Sequence, residues 1–371
     1  MKINNPFITA GFAGREYFCD RAEETRELIN AIENDRNVTL MAPRRYGKTG
    51  LIENVFDILK TEYDYKVLIF DVFAAQDLSE FTKMFAGAVF KSFESSVEKA
   101  LTAATTFLKS CRPTLTVDPN DMSHKFSFDI APSAAQSTLE EVFEYLAKKN
   151  CRMAIAFDEF QQIAEFPEKG VEAMLRGFVQ KTPAVSYVFA GSRQHLMREM
   201  FANAKRPFFQ STQKLHLECI PCDRYYAFAE EKFRAVGRRL EESVFKQVYE
   251  RFGGITWYVQ AVMNRLYGYE LENPSLEDVD VVVGRLIGEN AYDYRALMEA
   301  LPDGSVRLLR AIAREGVAEA VTSTAFIVKH SLRAPSSTVE TLARLKEKEL
   351  VYKTDAGYVV YDRLLGEWLR R

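Results

Sequence analysis

Five apolar segments that alternate with helical segments place the strongest constraint on how this chain folds. They are NVTLMA (37–42), KVLIFDVF (66–73), RMAIAFDEF (152–160), VSYVFAGS (185–192) and KLHLECI (214–220). Strands that are apolar along their length are buried on both faces, as parallel strands are when helices cover both sides of the sheet. The sequence therefore predicts an α/β fold built on a parallel sheet within residues 1–222.

The pattern changes twice beyond the predicted sheet. Residues 223–302 carry helical periodicity without strands, and residues 303–371 predict three helices, a β-hairpin and a final helix. Alternating residues also predict a hairpin insertion at about residues 113–131. We therefore expect three domains: an α/β core over 1–222, a helical lid over 223–302 and a winged helix-turn-helix over 303–371.

The segment MAPRRYGKTG (41–50) joins the first predicted strand to a helical segment. It keeps the spacing of a phosphate-binding loop, in which a first glycine is followed after four residues by Gly-Lys-Ser/Thr, but Ala42 replaces that glycine. Alanine is tolerable there if its φ stays negative. Lys48 is predicted to reach the β/γ-phosphates and Thr49 to offer its hydroxyl to Mg²⁺. The predicted nucleotide-binding loop consists of Ala42, Pro43, Arg44, Arg45, Tyr46, Gly47, Lys48, Thr49 and Gly50.

Two acidic residues follow the third apolar segment. Asp158 ends a strand whose carboxyl end is expected at the same sheet edge as the loop, where it can hold the Mg²⁺ that Thr49 contacts. Glu159 is then placed to activate a water molecule against the γ-phosphate. The combination of loop and acids predicts a nucleoside triphosphate site.

Lys48 and Asp158 are separated by 110 residues, enough for an extra strand between the two strands that carry them. This spacing and the Asp-Glu pair resemble the additional-strand P-loop NTPases, which include AAA+ and STAND proteins. Four motifs make the chain similar to the archaeal-type ATPase family, a STAND-related group. They are Phe18-Cys19-Asp20-Arg21, Arg44-Arg45-Tyr46-Gly47-Lys48-Thr49, Phe157-Asp158-Glu159-Phe160-Gln161 and Gly191-Ser192-Arg193.

The resemblance implies an ATPase that uses ATP and Mg²⁺, with nucleotide bound between the core and the lid. It implies that the segment from Phe18 to Arg21 lines the adenine pocket and that Ser192 and Arg193 sense the γ-phosphate. An arginine there also suits phosphoryl transfer, which needs extra positive charge. A solvated loop arginine is the alternative for Arg193, and a salt-bridged arginine is the alternative for both Arg44 and Arg45.

Two segments depart from the family pattern. Relatives often carry Pro-aromatic-aromatic-Gly-Arg where this chain has Pro207-Phe208-Phe209-Gln210-Ser211, so Arg206 is the remaining candidate for an arginine that reaches a neighbouring site. Relatives also carry Gly-Gly-x-Pro in the lid, where this chain has Gly253-Gly254-Ile255-Thr256. We expect the helical lid to contact the nucleotide base, without assigning the residues that do so.

The C-terminal module raises the question of a DNA partner. A winged helix normally lays its third helix in the major groove, and Val339, Leu342 and Leu345 are predicted to be the buried stripe of that helix. Residues 331–371 contain 8 Lys/Arg and 6 Asp/Glu, and Glu340 would meet phosphates unfavourably. Packing or protein interaction is therefore the alternative role.

Three functions remain open from the sequence. They are an ATP-driven switch, a DNA-binding regulator that carries ATP as a ligand, and a small-molecule phosphotransferase, against which the Asp-Glu pair argues. The net charge of −3 argues against bulk coating of nucleic acid. The chain has no segment typical of a signal peptide and no apolar run of the roughly 20 residues that a membrane span needs, so we expect a cytoplasmic protein without a membrane partner.

Overall fold

A computed structural model describes the backbone of residues 4–117 and 124–371 and, outside residues 112–127, their side chains. In the described ranges the strands are β1 Val38–Met41, β2 Lys66–Asp71, β3 Arg112–Val117, β4 His124–Asp129, β5 Met153–Asp158, β6 Val185–Gly191, β7 Gln213–His216, β8 Val351–Thr354 and β9 Gly357–Val360. The helices of the first 234 residues are α1 Ala22–Glu33, α2 Lys48–Glu62, α3 Leu78–Phe93, α4 Val97–Phe107, α5 Ala135–Ala147, α6 Val171–Gln180, α7 Gln194–Ala202 and α8 Cys222–Arg234. The later helices are α9 Glu242–Arg251, α10 Thr256–Gly268, α11 Leu276–Glu299, α12 Asp303–Glu315, α13 Thr324–Lys329, α14 Pro335–Glu347 and α15 Arg363–Arg370.

The chain divides into two compact units. One comprises Met1–Tyr225 with Ile255–Trp257, and the other comprises Tyr226–Gly254 with Tyr258–Arg371. The segments predicted as lid and winged helix therefore share the second unit, apart from short pieces at 223–225 and 255–257.

The first unit contains the predicted parallel α/β sheet. Its five strands lie in the order β2-β5-β6-β1-β7, and every neighbouring pair is parallel. One strand does separate β1 from β5, but it is β6, which follows Asp158 in the chain. Of the strands within the 110-residue gap, β2 lies at the edge of this sheet, and β3 and β4 form a separate two-stranded sheet. The 110-residue gap therefore does not contain the strand that separates β1 from β5.

The two faces of the central strands differ in side-chain size. On one face Phe157, Tyr187 and Phe189 stack with ring centroids 5.8 to 6.1 Å apart. On the other face Ala154 and Ala156 pack in the hydrophobic cluster that also contains the buried residues of α1 and α2. Small side chains under α2 allow it to approach the sheet closely, and α2 begins at the predicted phosphate loop.

Outside the parallel sheet, the first unit contains a hairpin in which β3 pairs with β4 in antiparallel register. This pair occupies the predicted hairpin insertion, whose Pro119-Asn120-Asp121 turn lies outside the described residues.

The second unit ends in the winged-helix elements α12, α13, α14, the antiparallel pair β8-β9, and α15. The predicted stripe on α14 is correct for Leu342 and Leu345 but wrong for Val339, which is 54% exposed. Thr338 is buried in its place, because its hydroxyl is satisfied by Ala334 O at 3.2 Å. Among the described residues, no helix is long and apolar enough to cross a membrane.

Candidate nucleotide site

The loop from β1 to α2 has the backbone of a tight strand-to-helix turn. Positive φ values occur at Arg45 (72°) and Gly47 (87°), and Ala42 is not among the described residues with positive φ. Ala42 is fully buried and needs no glycine conformation, which explains why alanine is accepted there. Gly47 caps α2 in the left-handed conformation that glycine adopts without a Cβ penalty.

Lys48 is the first residue of α2 and is only 6% exposed. Its Nζ donates to Ala42 O at 3.2 Å and to Pro43 O at 3.4 Å. Burial lowers the pKa of Lys48, the charges of Glu159 and Asp158 oppose that shift, and Arg44 adds to it. An ammonium has three N–H donors, so one remains for an anionic ligand.

Thr49 and Asp158 meet as the sequence predicts. The Thr49 hydroxyl donates to Asp158 Oδ2 at 2.7 Å, which joins the start of α2 to the end of β5. Hydroxyl and carboxylate oxygens are ligands that Mg²⁺ accepts, and in nucleotide sites one or two side chains suffice beside phosphates and water.

Two further acidic groups lie near Asp158. The pKa of Glu53 is raised by burial and then by the charge of Asp158. Glu53 Oε2 is buried without a hydrogen-bond partner. The pKa of Asp71, which is the register partner of Asp158, is raised by burial against the lowering effect of a hydrogen bond from Phe73 N. An excess of acids with an orphaned carboxylate oxygen fits a site that takes a divalent cation.

Glu159 leaves the strand end in a left-handed conformation, with φ of 51°. Its Oε2 accepts hydrogen bonds from Ser192 Oγ at 2.7 Å and from Gln161 Nε2. Burial raises the pKa of Glu159, but these two hydrogen bonds, with the charges of Lys48 and Arg44, bring it below its usual value. The carboxylate is therefore held ionised and fixed in direction.

Ser192 also links Glu159 to the loop, because Arg44 Nε donates to Ser192 Oγ at 3.3 Å. Ser192 directly follows β6, whose last residue, Gly191, pairs with Met41 at the end of β1. Strand β6, which lies between β1 and β5, thus positions the Ser192 hydroxyl between Arg44 of the loop and Glu159 at the end of β5.

Gln161 has a role that the sequence interpretation did not assign, although it belongs to the motif that was recognised. It is 2% exposed, and its Oε1 has no hydrogen-bond partner. A Cβ at position 191 would lie 2.4 Å from that oxygen, so only glycine leaves room for Gln161. The glycine of Gly191-Ser192-Arg193 was the available signal.

The candidate arginines Arg193 and Arg206 are engaged in ion pairs. Arg193 Nη1 bonds Glu165 Oε1, and Arg206 bonds both Glu172 and Glu199. Sensing of the γ-phosphate by Arg193 stays a prediction.

Phe18 and Arg21 lie beside the phosphate loop. The Phe18 ring packs next to Gly50, where an added Cβ would lie 3.6 Å from Phe18 Cε2. Arg21 is 4% exposed, and its guanidinium donates to Glu24 Oε1 at 2.8 Å and to Tyr46 O at 3.2 Å. Arg21 therefore ties the start of α1 to the loop, and the adenine contact of both residues stays a prediction.

Thr256 and Trp257 also hold the loop, and sequence reasoning missed them. Trp257 N donates to Arg45 O at 3.0 Å, and Thr256 Oγ1 donates to Tyr46 O at 3.3 Å. The Arg45 guanidinium lies 4.6 Å from the centroid of the Trp257 ring, a cation–π contact worth roughly 0.5–1 kcal/mol at an exposed site. Thr256 occupies the position at which relatives were expected to carry proline, so the missing proline was the available signal.

A parallel sheet with an inserted strand, a strand-to-helix loop bearing Lys48 and Thr49, and an Asp-Glu pair at the end of β5 are the features of a P-loop ATPase fold. Comparison with protein families agrees. Residues 18–262 match the family described as "ATPase domain predominantly from Archaea", and residues 292–371 match a "probable winged helix domain". The chain belongs to this archaeal ATPase family, as its motifs predicted.

Solved structures share the fold. A Walker-type ATPase of Pyrococcus abyssi is 18% identical with a TM-score of 0.68, over 99% of this chain and 100% of that one. The ORC2 protein of Aeropyrum pernix in ADPNP and ADP complexes is 14% identical with a TM-score of 0.57, covering 98% and 97%. The ORC1 protein of Aeropyrum pernix in complex with DNA is 12% identical with a TM-score of 0.53, covering 95% and 92%. Comparison with curated proteins gives no match.

Proposed function

We propose that this protein hydrolyses ATP in a Mg²⁺-dependent reaction and uses the nucleotide state as a molecular switch. The observation that carries the proposal is the Glu159 carboxylate, which Ser192 and Gln161 orient beside Lys48 and the Thr49–Asp158 pair. Membership of an ATPase family supports the same reaction.

Each residue of the site has a role in that reaction. Lys48 donates a charge-assisted hydrogen bond to phosphate oxygens, together with the free N–H groups at the start of α2. Thr49 and Asp158 are the residues that hold Mg²⁺, which when bound neutralises charge on the phosphates. Glu159 accepts a proton from the attacking water, which an ionised carboxylate of lowered pKa can do at neutral pH.

The switch is proposed to act through the carbonyl groups of the loop. Arg45 O and Tyr46 O accept hydrogen bonds from Trp257 and Thr256, and Tyr46 O also accepts one from Arg21. A change in the loop on binding or loss of phosphate would alter these bonds. Thr256 begins α10, which continues to Gly268, so a local charge change can bias a larger element.

Replacement of Lys48 tests nucleotide use directly. We expect Lys48→Ala to weaken ATP binding about 10- to 150-fold, since a hydrogen bond to a charged group contributes about 1.5–3 kcal/mol. The matched control is Lys60→Ala, on the exposed face of the same helix. Isothermal titration of ATP measures both, and equal affinities for the two variants would contradict the proposed site.

A second candidate function is DNA binding through the winged helix, with ATP as a ligand. It is supported by the winged-helix family match and by the fold likeness to an ORC1 protein solved with DNA. Under this proposal the binding surface is local, because the whole chain carries a net charge of −3.

A further inference from the structure

A cavity of about 230 Å³ lies in the winged-helix part of the second unit, between the start of α12 and the face of α14 that carries Ser337 and Arg344. Its lining includes Arg307 from α12, Arg333 from the turn before α14, and Arg344 from α14. All three arginines are exposed to solvent. One acid, Glu340, also lines the cavity.

The three guanidinium groups share the cavity with Glu340 but form no ion pair among the described residues. Across the residues that the structure describes, none of them lies within 4.0 Å of a carboxylate oxygen, and neither does Glu340 pair with a cation. By contrast, Arg370 and Lys329 of the same unit do form ion pairs, with Glu367 and Glu315 respectively. Three like charges around one cavity repel one another, and an anion in the cavity would remove that repulsion.

Two helix N-termini also lie at the cavity, and one of them, in α12, carries an acid in its first turn, Asp303. The lining residues Gly304 and Ser337 lie in the first turns of α12 and α14, which are 13 residues each. First-turn N–H groups have no acceptor within their helix and carry the positive end of the helix dipole. The hydroxyls of Ser337 and Thr341 donate to Ala334 O and Ser337 O, so binding is left to the arginines and the N–H groups.

We infer that this cavity binds a phosphate group of a nucleic-acid backbone, an inference that rests on the DNA-binding candidate above and not on ATP hydrolysis. Guanidinium groups match phosphate oxygens in pairs of parallel hydrogen bonds. Arginines, and N–H groups at helix N-termini, make the contacts that orient a protein on duplex DNA. The exposure of all three arginines suits a continuous polymer better than an enclosed small ion.

The test is the affinity of the full chain for a duplex of about 25 base pairs, measured by fluorescence anisotropy at several salt concentrations. The triple variant Arg307→Gln/Arg333→Gln/Arg344→Gln is compared with Arg295→Gln/Arg310→Gln/Arg314→Gln, which removes equal charge from exposed arginines outside the cavity. We expect the cavity variant to bind at least tenfold more weakly, and its log–log salt slope to fall by about 0.9 for every phosphate that is no longer neutralised. The control variant should change the slope much less.

Glu340→Gln removes a negative charge from the same cavity and should therefore raise the affinity for DNA severalfold. Impaired folding would not produce such a gain. Equal losses in the two triple variants, with no gain from Glu340→Gln, would overturn the cavity as the site while DNA binding itself stands. Absence of DNA binding by the wild-type protein at low salt would overturn both the cavity as a phosphate-binding site and the DNA-binding candidate function. Thermal stabilisation by inorganic phosphate that needs the three arginines, without DNA binding, would assign the cavity to a free phosphate instead.

Discussion

At the scale of single residues, the position of the Glu159 carboxylate decides the chemistry. A non-glycine residue in the left-handed region costs roughly 1–2 kcal/mol, and Glu159 adopts it where the chain leaves β5. Asp158 Oδ1 offsets part of this by accepting a hydrogen bond from Glu159 N at 2.9 Å. The turn directs the carboxylate towards Ser192 and Gln161 rather than along the strand.

The Ser192 hydroxyl is predicted to be a positioning group. Ser192→Ala should lower kcat about tenfold and leave KM for ATP nearly unchanged, because a carboxylate that loses one of two oriented donors loses its direction towards water. Ser186→Ala is the matched control, since Ser186 is a buried serine in β6 that bonds Ile32 O away from the site. Steady-state kinetics measures both, and an equal kcat loss in the control would show a merely structural effect.

Single residues differ in how far local sequence predicts their position. The positions of Lys48, Thr49 and Asp158 were predictable because each is fixed by a strand end and a short motif, and the predicted neighbours Thr49 and Asp158 do meet. Gln161, Thr256 and Trp257 were not, because their partners are set by tertiary packing. Trp257, for example, is 212 residues beyond Arg45 in the chain, and no spacing rule connects them.

At the scale of elements, strands were predictable because they are apolar throughout, and the expected extra strand does lie between β1 and β5, but which strand it is was not predictable. The position of β6 between β1 and β5 depends on which crossovers pack, and the 110-residue gap gave no information on it. On α14 the helical period was predicted correctly, but Val339 was assigned to the buried face because it is apolar. Thr338 is buried there, since a hydroxyl that bonds the preceding turn can be accommodated.

The start of α15 depends on a single side chain. Asp362 accepts hydrogen bonds from Leu364 N at 2.9 Å, from Leu365 N at 3.2 Å and from Tyr258 Oη at 3.2 Å. Asp362→Ala should destabilise the second unit by about 2 kcal/mol, because it removes an N-cap and leaves the buried Tyr258 hydroxyl without this acceptor. Urea unfolding measures the change against Asp293→Ala, an exposed aspartate of α11, and equal midpoints for the two variants would contradict the capping role.

At the scale of the whole molecule, a nucleotide site and a winged helix are carried by one chain, and we propose above all that this chain hydrolyses ATP with Glu159 as the base. Family membership and the fold support nucleotide use by this chain. The proposal of hydrolysis depends in addition on the oriented carboxylate of Glu159.

The most direct test is phosphate release from ATP and Mg²⁺ by the wild-type protein and by Glu159→Gln, with ATP affinity measured on the same samples. We predict that the variant binds ATP normally and loses at least about 100-fold in kcat, the lower end of what a general base contributes. The control Glu27→Gln, an exposed glutamate of α1, should hydrolyse ATP at the wild-type rate. Equal hydrolysis by Glu159→Gln and wild type, or no hydrolysis by wild type despite tight ATP binding, would contradict Glu159 as the base.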